Sequence, residues 1–487
     1  MFKVFDALKA HARATPEKPA IRNLGGRTIS YRELTAAVSF IADVIPEDAR
    51  TIALLGGPNA TWIAVDLAIT LLGRRLVPLP FFFSPAQINH AVTQADVDMI
   101  VDTGSRSDNV RIVGVENILH LCDEIVFSAV GRHPVLPPYE GGAERVIYTS
   151  GTTGQPKGVR HGDRQLTHAI DAIAETSQAA SSDRHLCLLP QALLLEQIAG
   201  QFVPIVSGAE VSIAGDAILT SLTGDGRAAA EAVTVARPTT TILVPAQLEA
   251  LLAYARKTDW QPPDTLRLVA VGGAPASART LEMARSLGLP VRFGYGLSEC
   301  CSVVSLDGDS PGEIEPGAVP SAGPPLPGTE VWIEDGEIVV RSPGVMIGYL
   351  GYDDAENDTW HTGDVGRIRS GGRLTVFGRR DRVMVLPNGR NVSPEWIESL
   401  ALASGWVGSA KASLTGEHGI CLTISPGLSA LSCATSDEWI AGELQTAFAD
   451  LPAYARPSRV QIVTDGQPPR TIRLSEKTEP TPETVTL

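Results

Sequence analysis

Positive charge is what this chain lacks most. Lys and Arg number 40 against 55 Asp and Glu, a net charge of −15 over 487 residues. That balance argues against a nucleic-acid partner and against electrostatic docking on an anionic membrane, since both need basic surface. Long apolar runs are also missing. The most apolar window, Trp62 to Leu72, carries Asp66 and falls well short of the ~20 residues a membrane helix requires. No stable membrane insertion is expected. Met1 to Pro19 shows no long apolar core and no cleavage pattern, so no signal peptide is expected. Cysteine is sparse: Cys122, Cys187, Cys300, Cys301, Cys421 and Cys433 include no CxxC pair and no His/Cys cluster at zinc spacing. They read as reduced thiols of a cytoplasmic protein, with the adjacent Cys300 and Cys301 serving packing. Phe81-Phe82-Phe83 reads as a buried strand end. The GxxxxGK[ST] spacing of a Walker A loop is absent too.

What is present is a soluble, core-rich composition: 44% hydrophobic and 20% charged residues. The length exceeds one ordinary domain of about 150 residues. Through the front half, short apolar runs alternate with helical stretches. Strands are predicted over Arg50–Leu55, Leu76–Leu79, Met99–Val101 and Glu124–Phe127, with helices over Ala60–Leu72 and Pro85–Gln94 between them. Further strands are predicted over Leu186–Leu189, Glu210–Ile213, Thr240–Val244, Leu266–Val271 and Val291–Tyr295, and helices over Ala246–Ala255 and Ala278–Leu287. This alternation predicts an α/β fold with parallel sheets. From about Gly317 short alternating strands and Gly/Pro take over, which predicts a β-rich subdomain over 317–378. Another break falls at Gly378-Arg379-Arg380-Asp381, and residues 382–487 read as a small α+β domain. The Pro/Thr/Glu-rich tail beyond Glu476 reads as disordered.

One segment carries more chemistry than the rest. Tyr148-Thr149-Ser150-Gly151-Thr152-Thr153-Gly154-Gln155-Pro156-Lys157-Gly158 follows the apolar strand Arg145-Val146-Ile147-Tyr148. Small residues let backbone N–H groups and hydroxyls close on phosphate oxygens, and a Lys adds a compact positive charge. In an acidic protein this makes a local anion site.

Four more segments follow it: Gly272-Gly273-Ala274-Pro275, Gly294-Tyr295-Gly296-Leu297-Ser298-Glu299, Trp360-His361-Thr362-Gly363-Asp364 and Gly378-Arg379-Arg380-Asp381. In this order and spacing they resemble the adenylate-forming superfamily: acyl- and aryl-CoA synthetases, luciferases and peptide-synthetase adenylation domains. The resemblance covers nearly the whole chain and comes closest to the long-chain fatty acyl-CoA ligases. It implies a large N-terminal domain (1–378), a hinge at 379–381 and a mobile C-terminal domain. It implies ATP-dependent activation of a small-molecule carboxylic acid to acyl-AMP, then transfer to a thiol. Coenzyme A is the first choice of thiol, and a carrier-protein phosphopantetheine is the alternative. A nucleotide-binding homologue with weakened catalysis is the rival from another class. The assembly is expected to be a monomer or homodimer.

The same resemblance implies roles for single residues. Thr149, Ser150, Gly151, Thr152, Thr153, Gly154 and Lys157 clamp the outer phosphates. Glu299 holds Mg²⁺, as a hard cation bridging phosphates wants a carboxylate. Tyr295 stacks on adenine, with Gly272, Gly273, Ala274, Gly296 and Ser298 around the base and substrate. Asp364 takes the ribose hydroxyls, Arg379 contacts ribose or phosphate, Asp381 is the hinge, Arg390 faces the triphosphate, and Gly389 lines the thiol's path. Leu193, Val271, Gly272 and Leu297 line the acid pocket. No Asp for an α-ammonium occurs in Leu193-Leu194-Leu195, which favours a fatty acid, with an aryl acid as runner-up. Many relatives carry His or an aromatic at the Leu193 position, whereas Glu196 is shared with the fatty acyl branch. The family's C-terminal catalytic Lys aligns with Arg473 on a Thr-x-Lys-Leu pattern, or with Ser475 beside Lys477 on Pro-Arg-Thr. Lys477 is placed first and Arg473 second, and slow adenylation is the third possibility, because Arg and Lys are not interchangeable at a close contact.

Overall fold

The computed structural model describes residues 2–104, 115–122, 125–130, 142–149, 156–221, 226–308, 319–352, 358–382, 384–386, 391–392, 394–403, 407–415, 419–426, 436–448, 451, 453–464 and 468–474. Two eight-stranded sheets form the large N-terminal part. In the first, Glu144–Thr149, Arg75–Pro78, Thr51–Leu55 and Met99–Asp102 run parallel. In the second, Val291–Leu297, Leu268–Val271, Thr240–Leu243, Arg184–Cys187, Glu210–Ile213 and Pro19–Asn23 run parallel. The parallel reading therefore holds for the centres of both sheets and not for their edges. Val115–Cys122 and Ile125–Val130 form an antiparallel hairpin. Ser302–Leu306 folds back antiparallel on Val291–Leu297.

The helix Ala60–Leu71 packs on strands of both sheets and is buried along most of its length. A helix covered on opposite faces has no solvent side to keep polar, which is why its sequence reads as one apolar window. Its N-terminus is capped by Asn59, whose side chain accepts from Trp62 N at 2.8 Å. Its one charge, Asp66, is fully buried and takes a two-pronged bond from Arg145 at 2.5 and 3.0 Å. Arg145 also donates to Gln197 Oε1 at 2.5 Å and lies over the Phe202 ring. This network ties the strand that feeds the Gly/Ser/Thr loop to the core. Truncating Asp66 to Ala leaves a buried guanidinium without its carboxylate and is expected to cost about 3–5 kcal/mol in chemical denaturation.

The same sheet buries His161 completely at the end of the strand Lys157–His161. Burial pulls its pKa from 6.5 down to about 4. The unfolded chain binds that proton first, so stability declines as pH falls through 6.5, and the loss ends near pH 4. Its slope is up to ~1.4 kcal/mol per pH unit. The Tm difference between wild type and His161→Gln is expected to shrink across that window.

Phe81-Phe82-Phe83 is a correction. Phe83 N bonds Pro80 O at 3.0 Å, so the chain turns there, and Phe82 is 44% exposed. The Cys300 and Cys301 thiols are buried, which pushes both pKa values up and keeps them unreactive.

Glu330–Glu334, Glu337–Arg341, Thr359–Ile368 and Leu374–Arg379 make a four-stranded antiparallel sheet. Gly348–Tyr349, from the same stretch of chain, leaves it to extend the first large sheet beside Lys157–His161. The smaller C-terminal part carries Val407–Leu414, Ile420–Pro426, Arg459–Ile462 and Arg470–Arg473. Two of its pairings are antiparallel and the central one is parallel. The helices Pro394–Ala403 and Asp437–Ala447 share its separate hydrophobic core. No helix among the described residues is long and apolar enough to cross a membrane.

Candidate functional site

The site is organised around the strand Val291–Leu297. Its glycines let neighbouring backbone close in. A Cβ on Gly296 would stand 1.7 Å from the Ser302 carbonyl oxygen, so no other residue fits without moving the paired strand. Gly273, at φ +79°, turns the adjacent Val271-Gly272-Gly273 strand end away from the sheet.

Two clefts meet on this strand and share Gly273, Gly294, Tyr295 and Gly296 as a wall. The first, about 1040 Å³, also touches Ala274, Asp364 and Arg379. The second, about 1390 Å³ with its open mouth, is lined by Thr149, Leu193, Leu194, Leu195, Val271, Gly272, Leu297 and Ser298. No charged side chain lines this second cleft among the described residues.

On the polar side, Asp364 and Arg379 face each other across adjacent antiparallel strands. The Tyr295 hydroxyl donates to Asp364 Oδ2 at 2.5 Å, and Arg379 Nη1 lies 3.5 Å from Asp364 Oδ1. Arg379 also donates to the Thr362 carbonyl at 3.0 Å. Burial pushes the Asp364 carboxyl above the usual carboxylate range, against the pull of Tyr295 and Arg379. The Tyr295 phenol is pushed up in turn by its own burial and by that carboxylate. Asp381 accepts from Arg379 Nε at 3.4 Å and is exposed in the turn Arg380–Arg382.

At the junction of strand and turn, Glu299 Oε1 accepts from the Tyr349 hydroxyl at 2.8 Å. Lys157 Nζ stands 5.2 Å from the centre of the Tyr349 ring. Thr149 is the cross-strand partner of Lys157. Thr149, Lys157, Tyr349 and Glu299 thus converge at one end of the site. Among the described residues this half-buried carboxylate accepts from one phenol and keeps lone pairs for a hard cation, so Glu299 fits Mg²⁺.

The expected residues Ser150, Gly151, Thr152, Thr153, Gly154, Gly389, Arg390 and Lys477, with the tail beyond Glu476, lie outside the described residues. Arg473 is exposed on the edge strand Arg470–Arg473 and lines neither cleft. Sequence reasoning missed Tyr349, which reaches the site only because Gly348–Tyr349 pairs with Val159 and Arg160. It also missed Phe82 and Phe83 on the apolar cleft and Trp396 on the polar one. The turn after Pro80 and the C-terminal helix Pro394–Ala403 bring these in, and no local pattern marks them.

The chain is similar in sequence and fold to known proteins. The feruloyl-CoA synthase of an Amycolatopsis species is 29% identical over 414 residues, covering 80% of each chain. The indoleacetate–CoA ligase of Aromatoleum aromaticum is 28% identical over 436 residues, covering 80% of this chain and 81% of that one. The fold matches the o-succinylbenzoate coenzyme A synthetase of Bacillus subtilis in complex with AMP at a TM-score of 0.74, with 23% identity over 94% of both chains. The profile of the AMP-binding enzyme family matches residues 8–350, and this chain is an enzyme of that family.

Proposed function

We propose that the enzyme is an AMP-forming ligase that joins an apolar carboxylic acid to coenzyme A. The observation that carries this reading is the shared wall at Tyr295. An uncharged apolar cleft lies on one side of it and the Asp364–Arg379 pair on the other. An acid in the first cleft and a nucleotide in the second would meet at the strand edge, where the carboxylate can approach the α-phosphorus. Positioning of two anions is the main task, and local charge neutralisation supports it.

In this reading the Asp364 carboxylate accepts both ribose hydroxyls, and Arg379 holds it in place. Tyr295 offers its ring face to adenine. Lys157 and Thr149, with the loop 150–155, hold the outer phosphates. Bound at Glu299, Mg²⁺ would offset charge on the leaving pyrophosphate. The acid's oxygen attacks the α-phosphorus and pyrophosphate departs. The thiol sulfur then attacks the acyl carbonyl, and AMP departs. We assign 1–378 and 382–487 to the two domains and Asp381 to the hinge between their two working orientations. Lys477 and Arg473 remain the two basic groups proposed for the α-phosphate step.

For the acid, we place aryl and arylalkanoic acids first. The relatives named above act on feruloyl and indoleacetate groups, and Phe82 and Phe83 offer aromatic edges to such rings. A fatty acid is the second reading. A neighbouring, mostly apolar cleft shares Leu195, Ile242, Ala270, Val303 and Leu306 with the acid cleft, and an alkyl chain would extend along those side chains. That no charged residue lines the acid cleft among the described residues argues against an amino acid, whose ammonium would need a partner. Acid-dependent pyrophosphate release over aryl, fatty and amino acids tests this. Turnover with an aryl or fatty acid is expected, and turnover with amino acids alone would overturn it.

A further inference from the structure

Behind the acid cleft lies a group of side chains that the ligase reaction leaves unused. His185 and Cys187 stand two apart on the strand Arg184–Cys187 and therefore face the same side. Glu196 opens the π-helical segment Glu196–Phe202, packed against that strand. All three are buried, Glu196 and Cys187 completely. One ligand atom from each lies within 4.8 Å of the others. Among the described residues no other three His, Cys, Asp or Glu side chains come so close.

Three polar atoms of this group are left unsatisfied. Neither Glu196 carboxylate oxygen has a hydrogen-bond partner, and neither does His185 Nε2. His185 Nε2 stands 3.5 Å from Glu196 Oε1, while its other ring nitrogen meets Thr240 Oγ1 at 3.0 Å. That second contact fixes the ring and leaves Nε2 directed at the cluster, as outer partners do for metal-binding imidazoles. Gly200 permits the approach: a Cβ there would stand 2.2 Å from Glu196 Oε1 and 2.9 Å from His185 Nε2. Its carbonyl oxygen accepts from the Cys187 thiol at 3.9 Å and is a fourth ligand atom within reach. Burying unpaired polar groups costs several kcal/mol, so an arrangement of this kind calls for a partner.

We propose that His185 Nε2, Cys187 Sγ and a Glu196 carboxylate oxygen form a buried site for one zinc ion. A thiolate and an imidazole select zinc over magnesium or calcium. Thiolate, carboxylate and Zn²⁺ sum to zero charge, which suits a dry interior. Tetrahedral ligands on bonds of about 2.0–2.3 Å sit roughly 3.5 Å apart, so closing on the ion needs only small side-chain shifts. The Cys187 thiol proton and any proton on Glu196 are released to solvent on binding. The ion would lock the π-helical segment to the sheet behind the acid cleft. Because the site is closed, loading would accompany folding. The sequence shows no CxxC or paired-His spacing, because the third ligand arrives from a different element.

The test uses full-length protein produced in zinc-supplemented medium, freed of any affinity tag and dialysed. Elemental analysis is expected to find about one zinc per chain in wild type and a small fraction of that in Cys187→Ala. Protein produced with cobalt is expected to show near-ultraviolet thiolate-to-cobalt absorption, lost in Cys187→Ser. The cobalt spectrum needs only wild type, so a variant that fails to fold leaves the test intact. Background zinc in wild type without a thiolate–cobalt band would overturn the proposal, as would undiminished zinc in Cys187→Ala. Neither readout depends on ligase activity.

Discussion

Asp364→Ala is expected to reduce acyl-adenylate formation by about a thousandfold, because two hydrogen bonds to a charged group, at about 1.5–3 kcal/mol each, are lost together. The loss should fall on kcat/KM for ATP, measured by pyrophosphate release, and leave the KM for the acid nearly unchanged. The carboxylate is held between Tyr295 and Arg379 in the fold. Asp364→Asn keeps that geometry without the charge and should retain more nucleotide binding than Ala. The pH profile gives a second readout. Burial raises the Asp364 pKa, so its carboxyl takes up a proton at a higher pH than an exposed Asp. The kcat/KM for ATP should therefore fall on the acid side earlier than the usual carboxylate range implies. That limb should vanish in Asp364→Asn.

Glu299→Gln is the second large effect. It preserves the shape of the side chain and an oxygen for the Tyr349 hydroxyl, yet removes the charge that a bridging magnesium needs. A fall in kcat on the order of a hundredfold is expected, from the several kcal/mol a catalytic cation contributes. The magnesium concentration for half-maximal rate should rise with it. Tyr349→Phe removes only one hydrogen bond and should cost about 0.5–1.5 kcal/mol. Equal losses in the two variants would mean that Glu299 acts through Tyr349 and not through a cation.

These residues differ in how far the sequence announced them. The Glu210–Ile213 strand and the Pro85–Gln94 helix have the expected bounds, because alternation in Glu210-Val211-Ser212-Ile213 and a capping Ser84 followed by Pro85 mark them locally. Tyr295, Asp364 and Arg379 could be named from short motifs, since each sits beside a glycine, and at Tyr295 close backbone packing demands it. Their mutual contacts could not, because Asp364 meets Arg379 only through the register of two long strands. The edges of the sheets were harder still. Gly348–Tyr349 is two residues long and has no periodicity, so Tyr349 stayed hidden until it paired with Lys157–His161. The Phe81-Phe82-Phe83 run looked like a strand because it is apolar. Pro80 ends the extended chain, and the aromatic rings project from a turn instead. Asp66 looked like an interruption in an apolar window, whereas it is the buried partner of Arg145.

An acid and ATP are expected to react where the two clefts meet at Tyr295. A single-turnover mixture of enzyme, ATP, magnesium and an aryl or fatty acid, without thiol, tests it most directly by mass spectrometry. The expected result is enzyme-bound acyl-AMP with equimolar pyrophosphate, consumed to the thioester and AMP when coenzyme A is added. Bound, unreacted ATP with every acid would contradict the account.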